Sequence, residues 1–452
     1  MKEMTTHERF TRMFEHREAD RIPIIDEPWA GTVRRWQREG MPAGVDWRDY
    51  FGVDKVERIG VDITPRYEER VLEETDDYII STTPWGVTLK NFKLEDSTPE
   101  FLDFTITNPE CWAAAKKRMQ PTPDRINWKY LEENYAKWRA EGRWIQAPFW
   151  FGFDVTHSWT VGTETLLIAL LEEPEWAVDM FNTYLDMCIA LFDQVWKAGY
   201  HFDSIFWWDD MGYKNTQFFS LGIYRELLKP VHKRAIDWAH NHGIKAHLHS
   251  CGDIMPIVPE LVEIGLDALN PLEVKAGMKP LELKRRFGSD LVFHGGVNAV
   301  LWDDKDAISE EIRRLIPEMK ENGGYIFSSD HSIPNSVSLE NMQAIIDLIK
   351  EIGDTDITAA RIRKRNSKKP GFFQASCFGS ARFQLLIPTG RIIQASFNTL
   401  KTCRKVVQIG DAAVQIIVIT DIKKINRADS KLLKTSYHSG FSAGYSIRCP
   451  GG

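Results

Sequence analysis

The sequence predicts an α/β protein: a (β/α)8 barrel with helical and hairpin insertions toward its N-terminus, followed by an atypical basic tail. Three observations lead there. Strand-like and helix-like segments alternate at intervals of roughly 25 to 50 residues, the rhythm of parallel βαβ units. Eight strand candidates fall in the first 354 residues, enough to close a parallel barrel. Acid, imidazole and thiol side chains collect just after those strands, where the loops of a barrel converge. A doubly wound sheet is the competing arrangement for the alternation taken alone.

The strand candidates, in order, are "RIPIID" (21–26), "VERIGVDI" (56–63), "RWIQAPFW" (143–150), "DSIFWW" (203–208), "IKAHLH" (244–249), "LDALN" (266–270), "DLVFHG" (290–295) and "GYIFSS" (324–329). An apolar stretch at 76–92 reads as an inserted hairpin turning at Pro84-Trp85-Gly86. Residues 304–322 place Ile308, Ile312, Leu315, Ile316 and Met319 on one helical face, and Pro317 predicts a kink there. Residues 338–352 repeat the pattern with Leu339, Met342, Ile345, Ile346 and Ile349. Further helices are expected around 174–198 and 220–242.

Charge divides the chain. Residues 1–354 carry 60 acidic and 40 basic side chains, whereas 355–452 carry 4 and 17. The last glutamate is Glu351, and all tryptophans lie between Trp29 and Trp302. The domain boundary is therefore expected near Asp354, with 1–354 as the barrel. The tail opens with "RIRKRNSKK" and reads as a small basic domain, a disordered basic arm, or sequence not selected to fold, the last being favoured. Basic charge alone is a weak warrant for a nucleic-acid partner, and none is expected. No window approaches the roughly 18 apolar residues of a membrane helix, and the charged start lacks a leader-like apolar core. With six scattered cysteines and no disulfide pattern, a reducing cytoplasm is the expected compartment.

The strand ends carry the chemistry. They bring Asp26 and Glu27, then Asp209 and Asp210, then "HSCGD" (249–253), then Asn270 and Glu273, then His294 and Asn298, and finally Asp330 and His331. Each alone has a plain structural explanation. A carboxylate after a strand commonly caps the next helix, as expected of Asp253, and a lone histidine is more often hydrogen-bonded core. Six such ends on one rim make a site. In "KAHLHSCGDI", His247, His249 and Cys251 share a strand phase that leads to the barrel interior. Imidazole and thiolate suit zinc, although H-x-C lacks the paired spacing of a zinc finger. Asp209 and Asp210 would orient substrate or move a proton. Trp150, Phe151, Trp207 and Trp208 would form an aromatic mouth or pack in the core.

Taken together, "HLHSCGDIMPIVPELVEIGLDALNPLE", "LVFHGGVNAVLW", "GGYIFSSDHSIPNSVSLENMQAIIDLI" and the opening "THERFTRMFEHREADRIPI" resemble the uroporphyrinogen decarboxylase superfamily over residues 5–353. The resemblance implies a (β/α)8 barrel and two branches of function. One decarboxylates uroporphyrinogen without a cofactor. The other comprises cobamide-dependent methyltransferases, in which an H-x-C pair and a late cysteine hold zinc. Carried onto this chain, His249 and Cys251 fall on the pair and His331 on the late position, a departure in ligand type that zinc tolerates.

The decarboxylase branch carries an arginine-rich loop after the first strand. Here "DEPWAGTVRRWQ" puts Asp26 and Glu27 there, with Arg34 and Arg35 further along on an expected helix face. The resemblance therefore implies a zinc methyltransferase acting on a small methylated substrate, with a corrinoid protein as partner. Catalytic roles fall to Asp209, Asp210 and Glu273. Substrate contacts fall to Asp26, Trp150, Trp207, Asn270 and His294, and Glu273 with His294 is a second candidate ligand pair. The alternatives are a porphyrinogen decarboxylase and a non-catalytic barrel that binds a tetrapyrrole or corrinoid.

Overall fold

The computed structural model describes residues 3–93 and 98–354, and the backbone of four strands further along the chain. The chain divides into two compact units, Met1–Arg365 and Asn366–Gly452.

In the first unit, seven parallel strands pair in chain order: β1 (Val56–Arg58), β2 (Trp144–Trp150), β3 (Ser204–Trp208), β4 (Lys245–His249), β5 (Ala268–Asn270), β6 (Val292–His294) and β7 (Tyr325–Ile326). Segment 22–26 joins the two edges. The Asp54 N–H donates to the Ile24 carbonyl at 2.9 Å, and the Ile25 N–H donates to the Phe327 carbonyl at 3.1 Å. Ile24 also bridges Phe327 in parallel. The sheet thus curls into the (β/α)8 barrel expected from the sequence, with seven of the candidates forming its strands and segment 22–26 bridging at the eighth position.

Parallel strands are covered on both faces, so β2 and β3 read as nearly continuous apolar runs. Inside the lower end, Phe10, Met13 and Phe14 of helix Thr6–Phe14 cluster with Trp144, Ala268, Val292 and Ile326. That helix starts in a capping box, in which the Glu8 N–H donates to the Thr5 hydroxyl at 3.2 Å and the Thr5 N–H to the Glu8 carboxylate at 2.7 Å. The bottom is sealed by packing, which leaves the C-terminal ends of the strands as the open rim.

Outside, helix Pro174–Lys197 buries Phe181, Tyr184, Leu191 and Phe192, and the Phe192 ring stacks on Phe149 of β2 at 5.2 Å. Helix Lys305–Met319 buries the five residues its periodicity named and carries Pro317 in its last turn. Leu339–Gly353 buries Met342, Ile345, Ile346 and Ile349. Residues 221–241 form a helical turn (Leu221–Ile223), a π-helical turn (Tyr224–Leu228) and helix Lys229–Asn241. The inserted hairpin pairs Tyr78–Thr82 with Val87–Phe92 and grows into a four-stranded antiparallel sheet with Val71–Glu74 and Glu100–Phe104. Gly86 turns it at φ 85°, against the Tyr67 ring.

In the second unit, Ser380–Leu386 pairs with Ile392–Asn398, and Cys403–Ile409 with Ala412–Val418, both antiparallel. The remainder of 355–452, with the expected tail character, lies outside the described residues. Among the described residues no helix is long and apolar enough to cross a membrane.

Candidate metal centre at the barrel mouth

Strand β4 alternates. Ala246 and Leu248 are buried in the shell, while His247 and His249 turn inward, His247 against the Phe206 ring at 4.8 Å. Past His249 the chain is held by carboxylates from neighbouring strand ends. The Cys251 N–H donates to Asp210 Oδ1 at 2.7 Å, and the Gly252 N–H to Glu273 Oε2 at 2.7 Å. Gly252 adopts φ 83° against the Gly212 backbone, where any side chain would collide. The turn carrying Cys251 is therefore tied to β3 and β5 through its own backbone.

Three donor atoms converge. Cys251 Sγ lies 3.3 Å from His249 Nε2, and that nitrogen lies 3.6 Å from Asp210 Oδ1. Among the described residues, Asp210, His249 and Cys251 form a group whose ligand atoms all lie within 4.8 Å of one another. On its other side, His249 Nδ1 is 2.5 Å from Asn270 Oδ1, and Asn270 Nδ2 donates to the His294 carbonyl at 3.2 Å. The carbonyl fixes the amide with its oxygen toward His249. His249 Nδ1–H therefore donates to Asn270, which leaves Nε2 facing Cys251.

Electrostatics favour a cation in this cluster. Burial, with the carboxylates of Asp210 and Glu273 nearby, holds the Cys251 thiol well above its ordinary range. Burial likewise raises the Asp210 carboxyl. A divalent ion would reverse both effects, because a coordinated thiol loses its proton outright. Sulfur, imidazole and carboxylate are all zinc ligands, and neighbouring ligand atoms of a tetrahedral zinc stand about 3.5 Å apart. The donor set fits zinc, with three protein ligands and one position left for another group.

Two cavities meet at this group. The larger, of about 890 Å³, is lined by Asp26, Arg58, Trp208, His249, Asn270, His294 and His331, among others. The smaller, of about 460 Å³, also reaches Asp210 and Cys251 and is bounded by Asp154, His157, Glu273 and Lys275.

The residues singled out by the sequence therefore divide. His249 and Cys251 come together, joined by Asp210 rather than by His331, which lines the larger cavity outside the three-atom group. Glu273 anchors the cysteine turn and faces Lys275 at 3.5 Å. Asp26 accepts the Ser329 N–H at 2.7 Å and its hydroxyl at 2.9 Å, and burial raises its carboxyl to about 7. His294 Nδ1 lies 3.3 Å from His247 Nε2, and burial lowers His294 to about 3, so it is neutral. Asp253 accepts the Met255 N–H at 3.0 Å, capping the turn before helix Val258–Glu263.

Asp209 and Trp207 face away from the cavities. Asp209 is fully buried, 2.7 Å from His232 Nε2, and accepts the Asp154 N–H at 2.7 Å. Trp207 packs between Phe151 and His232 at 5.7 and 5.8 Å. Trp150 is half-buried among Trp85 and Trp159, and its Nε1–H donates to Asp154 Oδ2 at 2.8 Å. These placements follow from strand alternation, since Phe206, Trp208 and Asp210 share the inward phase. The sequence reading did not single out Arg58, Phe206, Asp154 or His157. For Arg58 and Phe206 the period-2 phase of their strands was the available signal.

Residues 153–352 match the family model described as uroporphyrinogen decarboxylase (URO-D). Among solved structures, a methyltransferase from Methanosarcina mazei is 15% identical and superposes with a TM-score of 0.54, over 77% of this chain and 99% of that one. A B12-independent methionine synthase from a Shewanella species is 10% identical with a TM-score of 0.35, over 77% and 98%. No curated protein sequence matches the chain.

Proposed function

For a chain that carries a URO-D family domain on its barrel, we propose a zinc-dependent methyltransferase of the corrinoid-linked type. It moves a methyl group between a small methylated substrate, thiol or folate and a corrinoid held by a partner protein. One observation carries the reading: Asp210, His249 and Cys251 converge where two cavities meet. His249, Cys251 and Asp210 would hold the ion, which when bound supplies a Lewis acid that activates a nucleophile or draws charge from the atom losing its methyl group.

The remaining roles belong to side chains of this chain. Asn270 orients the His249 ring through Nδ1. Asp210 also fixes the Cys251 backbone, so one carboxylate sets both a ligand and its turn. Phe206 and Trp208 line the larger cavity and exclude water from one side of the cluster. Glu273 stands at the smaller cavity, where a carboxylate is placed to take or return a proton.

Porphyrinogen decarboxylation is disfavoured. Asp26 and Glu27 line the larger cavity, and among the described residues only two arginines do, Arg48 held by Asp46 and Arg58 beside Glu27, so an octacarboxylate finds no cluster of cations there. The test is a methyl-transfer assay with free cob(I)alamin and a panel of methylated ethers and amines, on protein whose zinc content is measured. Methylcobalamin formation that vanishes in Cys251→Ser supports the reading. Carbon dioxide release from uroporphyrinogen, unchanged by Cys251→Ser, would replace it with the decarboxylase.

A further inference from the structure

Of the two arginines that line the larger cavity among the described residues, Arg58 is the one whose carboxylate partner is loosely held. Arg58, at the end of β1, lies over the rings of Phe206 and Trp208, 5.1 Å from each centroid. The Phe206 ring is itself 6.2 Å from the ring of His249. Arg58 thus reaches the cavity beside the proposed metal centre, on an aromatic floor.

Every other carboxylate lining that cavity is already engaged. Asp54 is buried between Arg9 at 3.0 Å and Arg21 at 2.6 Å. Asp46 pairs with Arg48 at 2.7 Å, and Arg48 also meets Glu57 at 3.0 Å. Asp26 is bonded to Ser329, and Asp210 belongs to the metal cluster. Arg58 is different: its Nε–H donates to the neutral Gln146 Oε1 at a long 3.5 Å, and its carboxylate contact is Glu27 at 2.5 Å, whose side chain is 58% exposed at the rim. An exposed pair of this kind contributes little and exchanges readily. His294 also lines this cavity. His294 Nε2 is buried with no hydrogen-bond partner among the described residues.

We infer that the larger cavity binds a small carboxylate with an aromatic or apolar body, whose carboxylate displaces Glu27 from Arg58. A guanidinium held over two rings can offer an N–H edge to a planar carboxylate in two parallel hydrogen bonds. The apolar body then lies along Trp29, Val33 and Trp47, which line the outer part of the cavity. The inference names the substrate class of the proposed methyltransferase, and it rests on that reading for its catalytic meaning.

Calorimetric titration of the purified full chain with benzoate, benzamide and benzylamine tests it, with zinc measured on the same sample. Benzoate should bind at least about tenfold more tightly than either neutral benzamide or cationic benzylamine. Arg58→Gln should abolish that preference, Arg58→Lys should retain part of it, and Glu27→Gln should tighten benzoate several-fold. Thermal melting of each variant shows whether it is folded. Equal binding of benzamide, preference for benzylamine, or unchanged benzoate affinity in Arg58→Gln would overturn the inference. Loss of benzoate binding in His249→Ala but not in Arg58→Gln would place the anion on the metal instead, which also overturns it. Benzoate binding that depends on Arg58 in protein without zinc would leave the carboxylate site standing while sinking the methyltransferase.

Discussion

His249 Nδ1 lies 2.5 Å from Asn270 Oδ1, and this contact directs the opposite nitrogen of the ring at Cys251 Sγ, 3.3 Å away. The amide is itself oriented by the His294 carbonyl. Second contacts of this kind are typically worth about 10- to 100-fold in metal affinity. Asn270→Ala should weaken zinc binding by about that factor, measured by competition with a chromophoric chelator. Asn270→Asp, which keeps an acceptor toward Nδ1, should lose less.

Asp210 and His331 give opposite expectations. Asp210 stands in the three-atom group and His331 outside it. Asp210→Ala should reduce bound zinc and loosen the Cys251 turn, whereas His331→Ala should leave zinc stoichiometry unchanged. Elemental analysis after dialysis reads both. Equal loss in the two variants would restore His331 to the ligand set.

The neighbouring aspartates should separate stability from function. Asp209 and His232 form a fully buried pair at 2.7 Å, turned away from both cavities. Removing one member of such a pair typically costs about 3–5 kcal/mol. Asp209→Ala should therefore lower the denaturation midpoint sharply, and Asp209→Asn, which keeps a hydrogen bond, should cost less. Folded Asp209→Asn should bind zinc as the parent does.

Asp26 predicts a pH dependence. Burial raises its carboxyl to about 7, above the ordinary 3.8. Between those values the folded state holds a proton that the unfolded chain has lost, so stability falls as pH rises from about 4 to about 7 and is level above. The side chain keeps some access to solvent, so the cost at pH 8 is on the order of 1–3 kcal/mol. Asp26→Asn should remove it. In urea titrations, the variant's stability relative to the parent should be greater at pH 8 than at pH 5. An equal difference at both would show that Asp26 ionises normally.

Much of this is legible in the sequence. The eight strands announce themselves because parallel strands buried on both faces must be apolar runs, and "IKAHLH" also shows the inward phase of its histidines. The same alternation along 204–210 separates Trp208 and Asp210 from Trp207 and Asp209. It identifies Asp210 as the third donor once β3 is known to pair with β4, His249 opposite Trp208. What sequence spacing could not supply was the register between strands. The Asn270–His249 contact depends on the register of β4 against β5, and the meeting of Arg58 with Phe206 and Trp208 on strands far apart in the chain. Arg58 in particular reads as an ordinary charged residue in "VERIGVDI" until the curl of the sheet brings it over β3.

The most direct test of the account is zinc per chain, measured on protein produced with zinc available and then dialysed. The account predicts about one equivalent, lost in both His249→Ala and Cys251→Ser and retained in His331→Ala. No bound zinc in the parent protein, or an equivalent that survives both substitutions, would contradict it.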